Sequence, residues 1–216
     1  MDGTLLDSME MWEDVGARYL RKMGIIPKPD LNDILFSMSL EEGALYLKKY
    51  YCLHQDGERI VADILKAVRD SYINEVPLKD GAVEFLKQLD DKGIPMVVAT
   101  SGEREHVEEA FKRLGILGYF RGIFTCSEVG AGKTKPLIYR QAAGELGTIP
   151  EETYVFEDAL YAIRTAADAG FRTVGVYDRS SEGDQKEARS LVDIYLTDLT
   201  KIREFWEQMR NMHLFR

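Results

Sequence analysis

Pro95-Met96-Val97-Val98-Ala99-Thr100-Ser101-Gly102 is the stretch on which the fold turns. A continuous apolar run of this length is what a strand buried on both faces needs, and such strands belong to parallel sheets. It ends on two hydroxyls and a glycine and passes into a helical pattern over 103–114, with Val107, Ala110, Phe111 and Leu114 on one face. Upstream, Asp80 can cap a helix reaching Lys92, which Gly93 stops. Downstream the alternation continues. Strands are expected at 122–126, 153–156, 173–177 and 194–196, and helices at 136–146 and 158–169, with a last helix capped by Asp198. Strand-helix alternation from 94 to 197 predicts an α/β fold, a doubly wound parallel sheet of Rossmann-like type.

Residues 9–76 read differently. One helix is expected over 9–23, with Trp12, Val15, Tyr19 and Met23 on its inner face. A short helix holds Leu31, Ile34 and Leu35. Ser39-Leu40-Glu41-Glu42 has the form of a capping box, opening a helix with Leu40, Ala44, Leu47 and Tyr51 inward. After Asp56-Gly57 a further helix carries Val61, Ile64, Leu65, Val68 and Tyr72. Nothing here alternates like a strand, so 9–76 is expected to be an inserted all-helical domain of about four helices. The α/β core then comprises 1–8 and 77–216.

Composition narrows the possibilities. Of 216 residues, 45% are hydrophobic and 30% charged, an ordinary globular balance. No apolar run approaches the ~20 residues that span a bilayer. A formal net charge of -9 disfavours nucleic acid and anionic membranes as partners. Cys52 and Cys126 have no motif spacing, which suits a reducing, cytoplasmic setting. His54, His106 and His213 lie far apart, with no metal-ligand spacing.

In doubly wound sheets the ligand sits at the carboxyl ends of the strands. Those ends carry Asp2; Thr100-Ser101-Gly102; Gly132-Lys133-Thr134-Lys135-Pro136; and Glu157-Asp158. Hydroxyls and free amides at a helix start bind phosphate oxygens, and a lysine adds a point charge. Carboxylates without histidine or thiol suit a hard cation such as Mg²⁺. Each group alone has a bland explanation in capping or solvation. Four elements delivering compatible groups to one sheet edge favour a phosphate site.

These motifs resemble the haloacid dehalogenase superfamily, over essentially the whole chain. Asp2-Gly3-Thr4-Leu5-Leu6-Asp7-Ser8 matches the back of the family's first motif, Asp-x-Asp-Gly-Thr. Val97-Val98-Ala99-Thr100 matches the second, Gly132 to Tyr139 resembles the third, and Val155-Phe156-Glu157-Asp158 matches the fourth. Within the family the chain is most similar to the β-phosphoglucomutase and phosphoglycolate phosphatase group, whose helical cap the insert resembles.

The resemblance implies a phosphatase acting on a small phosphorylated metabolite, as a monomer or weak dimer. An aspartate would attack phosphorus and form an aspartyl-phosphate, while Asp2 protonates the leaving oxygen and then activates water. Thr100, Ser101, Gly102 and Lys133 would hold the transferring phosphate. Mg²⁺ would lie on Asp2 (through its carbonyl), Asp158 and Glu157. Lys135 competes with Lys133 for its role. Trp12 stands where the mutases carry a histidine, which favours a phosphatase over the alternative mutase. The attacking aspartate falls one residue before Met1, and the strand leading to it also lies upstream. The expectation is therefore a late start or a fragment, because deleting a central strand leaves buried backbone groups unpaired at about 1–3 kcal/mol each. A chain truly beginning at Met1 should not catalyse by this route, which keeps an inactive phosphate-binding homologue in play. A P-loop reading of Gly130-Ala131-Gly132-Lys133-Thr134 fails on Ser127, where glycine is required, and on Pro136 following too soon.

Overall fold

The computed structural model describes residues 1–36 and 38–214, without the side chains of Phe36, His213 and Leu214. The chain divides into two compact units, one formed by Met1–Asp7 with Pro77–Arg216 and one by Ser8–Val76.

The second unit is helical throughout: α1 (Met9–Glu13), α2 (Val15–Lys22), α3 (Leu31–Phe36), α4 (Leu40–Tyr50) and α5 (Gly57–Asn74). The single helix expected over 9–23 is two helices. Asp14 leaves helical geometry at φ −108°, ψ 13°, and its carboxylate takes the Arg18 Nε at 2.5 Å instead of capping a backbone amide. The break re-aims the buried face to Met11, Ala17, Tyr19 and Leu20, leaving Trp12 and Met23 exposed. The capping box forms as expected, with Glu42 N donating to Ser39 Oγ and Ser39 N to Glu42 Oε2. Asp56 caps α5 by accepting from Arg59 N at 2.8 Å. On α5 the inward stripe is Ile60, Ile64, Val68 and Tyr72, and Leu65 faces out. Ser37, between α3 and α4, lies outside the described residues.

The first unit alternates strands and helices: α6 (Ala82–Asp91), β1 (Met96–Thr100), α7 (Arg104–Arg113), β2 (Phe120–Thr125), α8 (Cys126–Val129), α9 (Leu137–Leu146), β3 (Tyr154–Glu157), α10 (Leu160–Asp168), β4 (Arg172–Val176), α11 (Gln185–Leu191), β5 (Ile194–Leu196) and α12 (Ile202–Leu214). All strand pairings in these sheets are parallel. The N-cap of α6 is Gly81, not Asp80. Gly81 adopts φ +83°, and a Cβ there would stand 2.5 Å from Thr200 N, so the close approach demands glycine. Asp198 serves a turn, accepting from Thr200 N at 2.9 Å, and α12 begins four residues later. Helix α12 inserts Phe205 between Phe85 and Phe156, and Trp206 packs on Phe205. Phe215 lies outside the described residues.

The sheet comes in two pieces, β1-β2 and β3-β4-β5. Between them lies a cavity of about 240 Å³, lined by Val97, Val98 and Ala99 of β1 and by Tyr154, Val155 and Phe156 of β3. This changes one expectation. The 95–100 run is not buried on both faces: Met96, Val97 and Ala99 are half-buried, as are the first three residues of β3. Native interiors rarely keep a void larger than a water molecule.

Candidate functional site

Residues 1–7 form a tight loop. The amides of Leu5 and Leu6 both donate to Met1 O, at 2.8 and 3.1 Å. Leu6, fully buried, bridges to Leu78, and Lys79 N donates to Leu5 O. Gly3 adopts φ +66°, which only glycine enters freely. The turn brings the loop onto Asp158: Thr4 Oγ1 donates to Asp158 Oδ1 at 2.8 Å, and a Cβ on Gly3 would lie 2.3 Å from Asp158 Oδ2. Asp158 stands just ahead of α10, where β3 has ended.

The end of β1 supplies Thr100, which is buried and accepts from Gly102 N at 3.0 Å. A Cβ on Gly102 would lie 3.4 Å from Thr100 Oγ1 and 3.9 Å from Asp2 Oδ2, so Asp2 and the β1 terminus converge. Ser101 Oγ sits 3.5 Å from Cys126 Sγ at the start of α8.

The loop before α9 turns Lys133 inward and leaves Lys135 exposed. Lys133 forms a buried ion pair with Glu157, and the Tyr139 hydroxyl donates to Glu157 Oε1 at 3.3 Å. Burial opposes both charges, but each is held by the other: Glu157 titrates below the usual carboxylate range and Lys133 above the usual lysine range. Burial, then the Glu157 charge, pushes the Tyr139 phenol far up, keeping it a donor. The Asp158 carboxyl moves the opposite way from Glu157, up to about 6, by burial and then by the Glu157 charge. The site thus holds adjacent buried carboxylates, of which Lys133 offsets one.

That excess of negative charge suits a cation. Asp158 offers hard oxygen donors, and Gly3 approaches it so closely that a Cβ would stand 2.3 Å from Oδ2. Asp2, whose backbone bridges to Leu6, lies on the same loop. Glu157 is committed to Lys133, and among the described residues no three acidic, histidine or cysteine side chains gather into a ready metal cage. In this arrangement Glu157 orients the lysine. Gly3→Ala should drive Asp158 off its position and cost about 1–3 kcal/mol through forced backbone strain, read as a lower urea midpoint with unchanged slope.

Sequence reasoning found each of these positions but missed their pairings. It also missed Tyr139 as a partner of Glu157, because it treated that residue only as part of a motif. Helix α11, with Gln185 at its start, was not anticipated either.

A parallel α/β unit with candidate groups at its strand ends, carried on one chain with a wholly helical unit, is an arrangement found among hydrolases. The haloacid dehalogenase-like hydrolase family profile matches residues 1–170, and the chain belongs to that family. It is 30% identical over 206 residues to validoxylamine A 7'-phosphate phosphatase of Streptomyces hygroscopicus subsp. limoneus, covering 94% of this chain and 93% of that one. It is 27% identical over 197 residues to a phosphorylated carbohydrates phosphatase of Thermotoga maritima, with 85% of each covered. The fold is similar to that of a putative β-phosphoglucomutase from Thermotoga maritima, at TM-score 0.84 and 23% identity over 96% of each chain. It is also similar to a predicted phosphoglycolate phosphatase from Haemophilus somnus, at TM-score 0.75 and 18% identity over 95% and 94%. Among the described residues no helix is long and apolar enough to cross a membrane.

Proposed function

We propose that the chain is a phosphatase of small phosphorylated carbohydrates or related metabolites, dependent on Mg²⁺. The observation that carries this is the meeting of Asp2, Thr100, the Lys133–Glu157 pair and Asp158 at the β1 and β3 ends. The names of its relatives support the substrate class.

In this reading the phosphate lies against Thr100, Ser101 and Gly102, with Lys133 neutralising the oxygens that gain charge in the transition state. Glu157 and Tyr139 fix where the ammonium points. Asp2 transfers the proton, to the leaving oxygen first and from water afterwards. The first aspartate of the family's Asp-x-Asp-Gly-Thr motif would be the attacking carboxylate in this reading, giving an aspartyl-phosphate. Mg²⁺, held by Asp158 and the Asp2 carbonyl, would offset the repulsion between carboxylate and phosphate. Residues 8–76 act as the cap that selects the substrate.

A mutase is not favoured. Trp12 donates its indole N–H to Tyr72 OH at 2.8 Å, and an indole has no titration near neutral pH with which to shuttle a proton.

The test uses the chain extended ahead of Met1 by an apolar strand ending in aspartate, loaded with Mg²⁺, against a panel of phosphorylated sugars, polyols and organic acids. Phosphate release that EDTA abolishes is expected, and silence across the panel would falsify the reading. Asp158→Asn should lose metal dependence and at least about 100-fold in kcat/KM together, since the cation contributes several kcal/mol to the transition state. Retention of both places the cation elsewhere.

A further inference from the structure

The Asp158 peptide is held from behind by a set of residues outside the family's four motifs. The Ala159 carbonyl accepts the first bonds of α10, from Ala162 N and Ile163 N. The Asp158 carbonyl, one residue earlier, is met by the Ser181 hydroxyl at 3.1 Å.

That hydroxyl is itself oriented. Gln185 Nε2 donates to Ser181 Oγ at 3.0 Å, and the single Ser181 proton is shared between Asp158 O at 3.1 Å and Asp178 O at 3.2 Å. The amide of Gln185 is fixed in turn, because Tyr195 OH donates to Gln185 Oε1. The donors therefore run from Tyr195 on β5 through Gln185 to Ser181, whose hydroxyl bridges the Asp158 and Asp178 carbonyls. The turn bearing Ser181 is pinned by a second device. Asp178, buried at 5% exposure, pairs with Lys79 at 2.6 Å and accepts from Ser180 N at 2.9 Å. Lys79 Nζ also donates to Tyr177 O at 2.7 Å. Gln185, in the middle of the relay, is 7% exposed, while Ser181 and Tyr195 are half-buried.

We propose that Ser181 is a positioning residue for the cation site: oriented by Gln185 and Tyr195, it holds the Asp158 peptide so that the carboxylate stays aimed at a divalent cation. Thr4 fixes one carboxylate oxygen from the front, and Ser181 fixes the backbone from the rear. The inference rests on the cation reading of Asp158 given above. Hydrogen bonds one layer behind a ligand set its orientation, and losing one typically weakens metal binding 10- to 100-fold.

The experiment titrates Mg²⁺ alone into the chain, by calorimetry and by the Mg²⁺-induced rise in thermal midpoint. Ser181→Ala is expected to weaken Mg²⁺ binding about tenfold and to shrink that rise. Ser181→Thr, which keeps the hydroxyl, should restore both, and Gln185→Met should resemble Ser181→Ala. A merely structural serine would lower the midpoint equally with and without Mg²⁺. Should Ser181→Ala fail to fold, Gln185→Met carries the same comparison. Wild-type Mg²⁺ affinity in folded Ser181→Ala or Gln185→Met overturns the proposal. Asp158→Asn, run in parallel, separates the two levels. If it too keeps wild-type affinity, the cation reading fails; if it loses Mg²⁺ while Ser181→Ala keeps it, only the role of Ser181 fails.

Discussion

An apolar strand of five residues placed directly ahead of Met1 should raise the thermal midpoint by about 10 °C, or roughly 3 kcal/mol for a chain of this size. The cavity between β1 and β3, about 240 Å³, is lined by the backbone and side chains of both strands. It exceeds the ~150 Å³ that accommodates a benzene ring. A strand entering parallel to its neighbours would pair with two edges at once. Each Val, Ile or Phe it buries contributes about 1.5–3 kcal/mol, and ordering each backbone residue costs about 1–2 kcal/mol. The gain should appear in differential scanning calorimetry and as slowed amide exchange in β1 and β3. A proline at the middle of the added strand removes a ladder donor and should abolish the gain. Equal stabilisation by the proline version, or none by either, would show that the cavity does not accept a strand. The same strand, ending in aspartate, supplies the attacking carboxylate of the proposed mechanism, so stability and activity should appear together.

Lys133→Met should destabilise the first unit by about 3–5 kcal/mol, because it leaves Glu157 charged, buried and unpaired. Lys133 and Glu157 are each over nine-tenths buried, and Tyr139 gives Glu157 its remaining hydrogen bond. Glu157→Gln on top of Lys133→Met should recover most of the loss, and the double-mutant cycle isolates the coupling. Its pH dependence follows from the directions of the two shifts. Glu157 is depressed in the folded state, so its contribution is present above the unfolded carboxylate value and lost as pH falls through the folded one. Lys133 is raised, so its contribution is present below the unfolded lysine value and lost as pH rises through the folded one. The coupling should therefore be full between about pH 5 and 10 and fade outside it. Additive single and double mutants would mean that the pair makes no net contribution. Lys135→Met, at an exposed position, should leave stability within about 0.5 kcal/mol of the parent.

Much of the fold was legible because its signals are local. The apolar runs at 95–100 and 173–177 formed strands over Met96–Thr100 and Arg172–Val176, Ser39 and Glu42 formed their capping box, and Asp56 capped α5. The errors arose where distant groups compete for a residue. Asp14 looked like an interior helical position until its carboxylate paired with Arg18 and Arg21. Asp80 looked like a cap, but the nearness of Thr200 to Gly81 set where α6 starts. Helix α11 escaped because its inner face is short, with Gln185 and Ala188 buried.

For the site, the order and type of Asp2, Thr100, Lys133, Glu157 and Asp158 already pointed to the family. Motif identity depends on residue type along the chain, and that is linear information. Which lysine turns inward, that Glu157 serves Lys133, and that Ser181 reaches the Asp158 carbonyl depend on contacts across 23 or 24 positions. Burial then acts on those contacts. It drives two neighbouring carboxyls apart, one below the ordinary range and one up to about 6. No reading of the adjacent pair Glu157-Asp158 separates them, because Lys133 makes its direct ion pair with Glu157, a contact that folding decides.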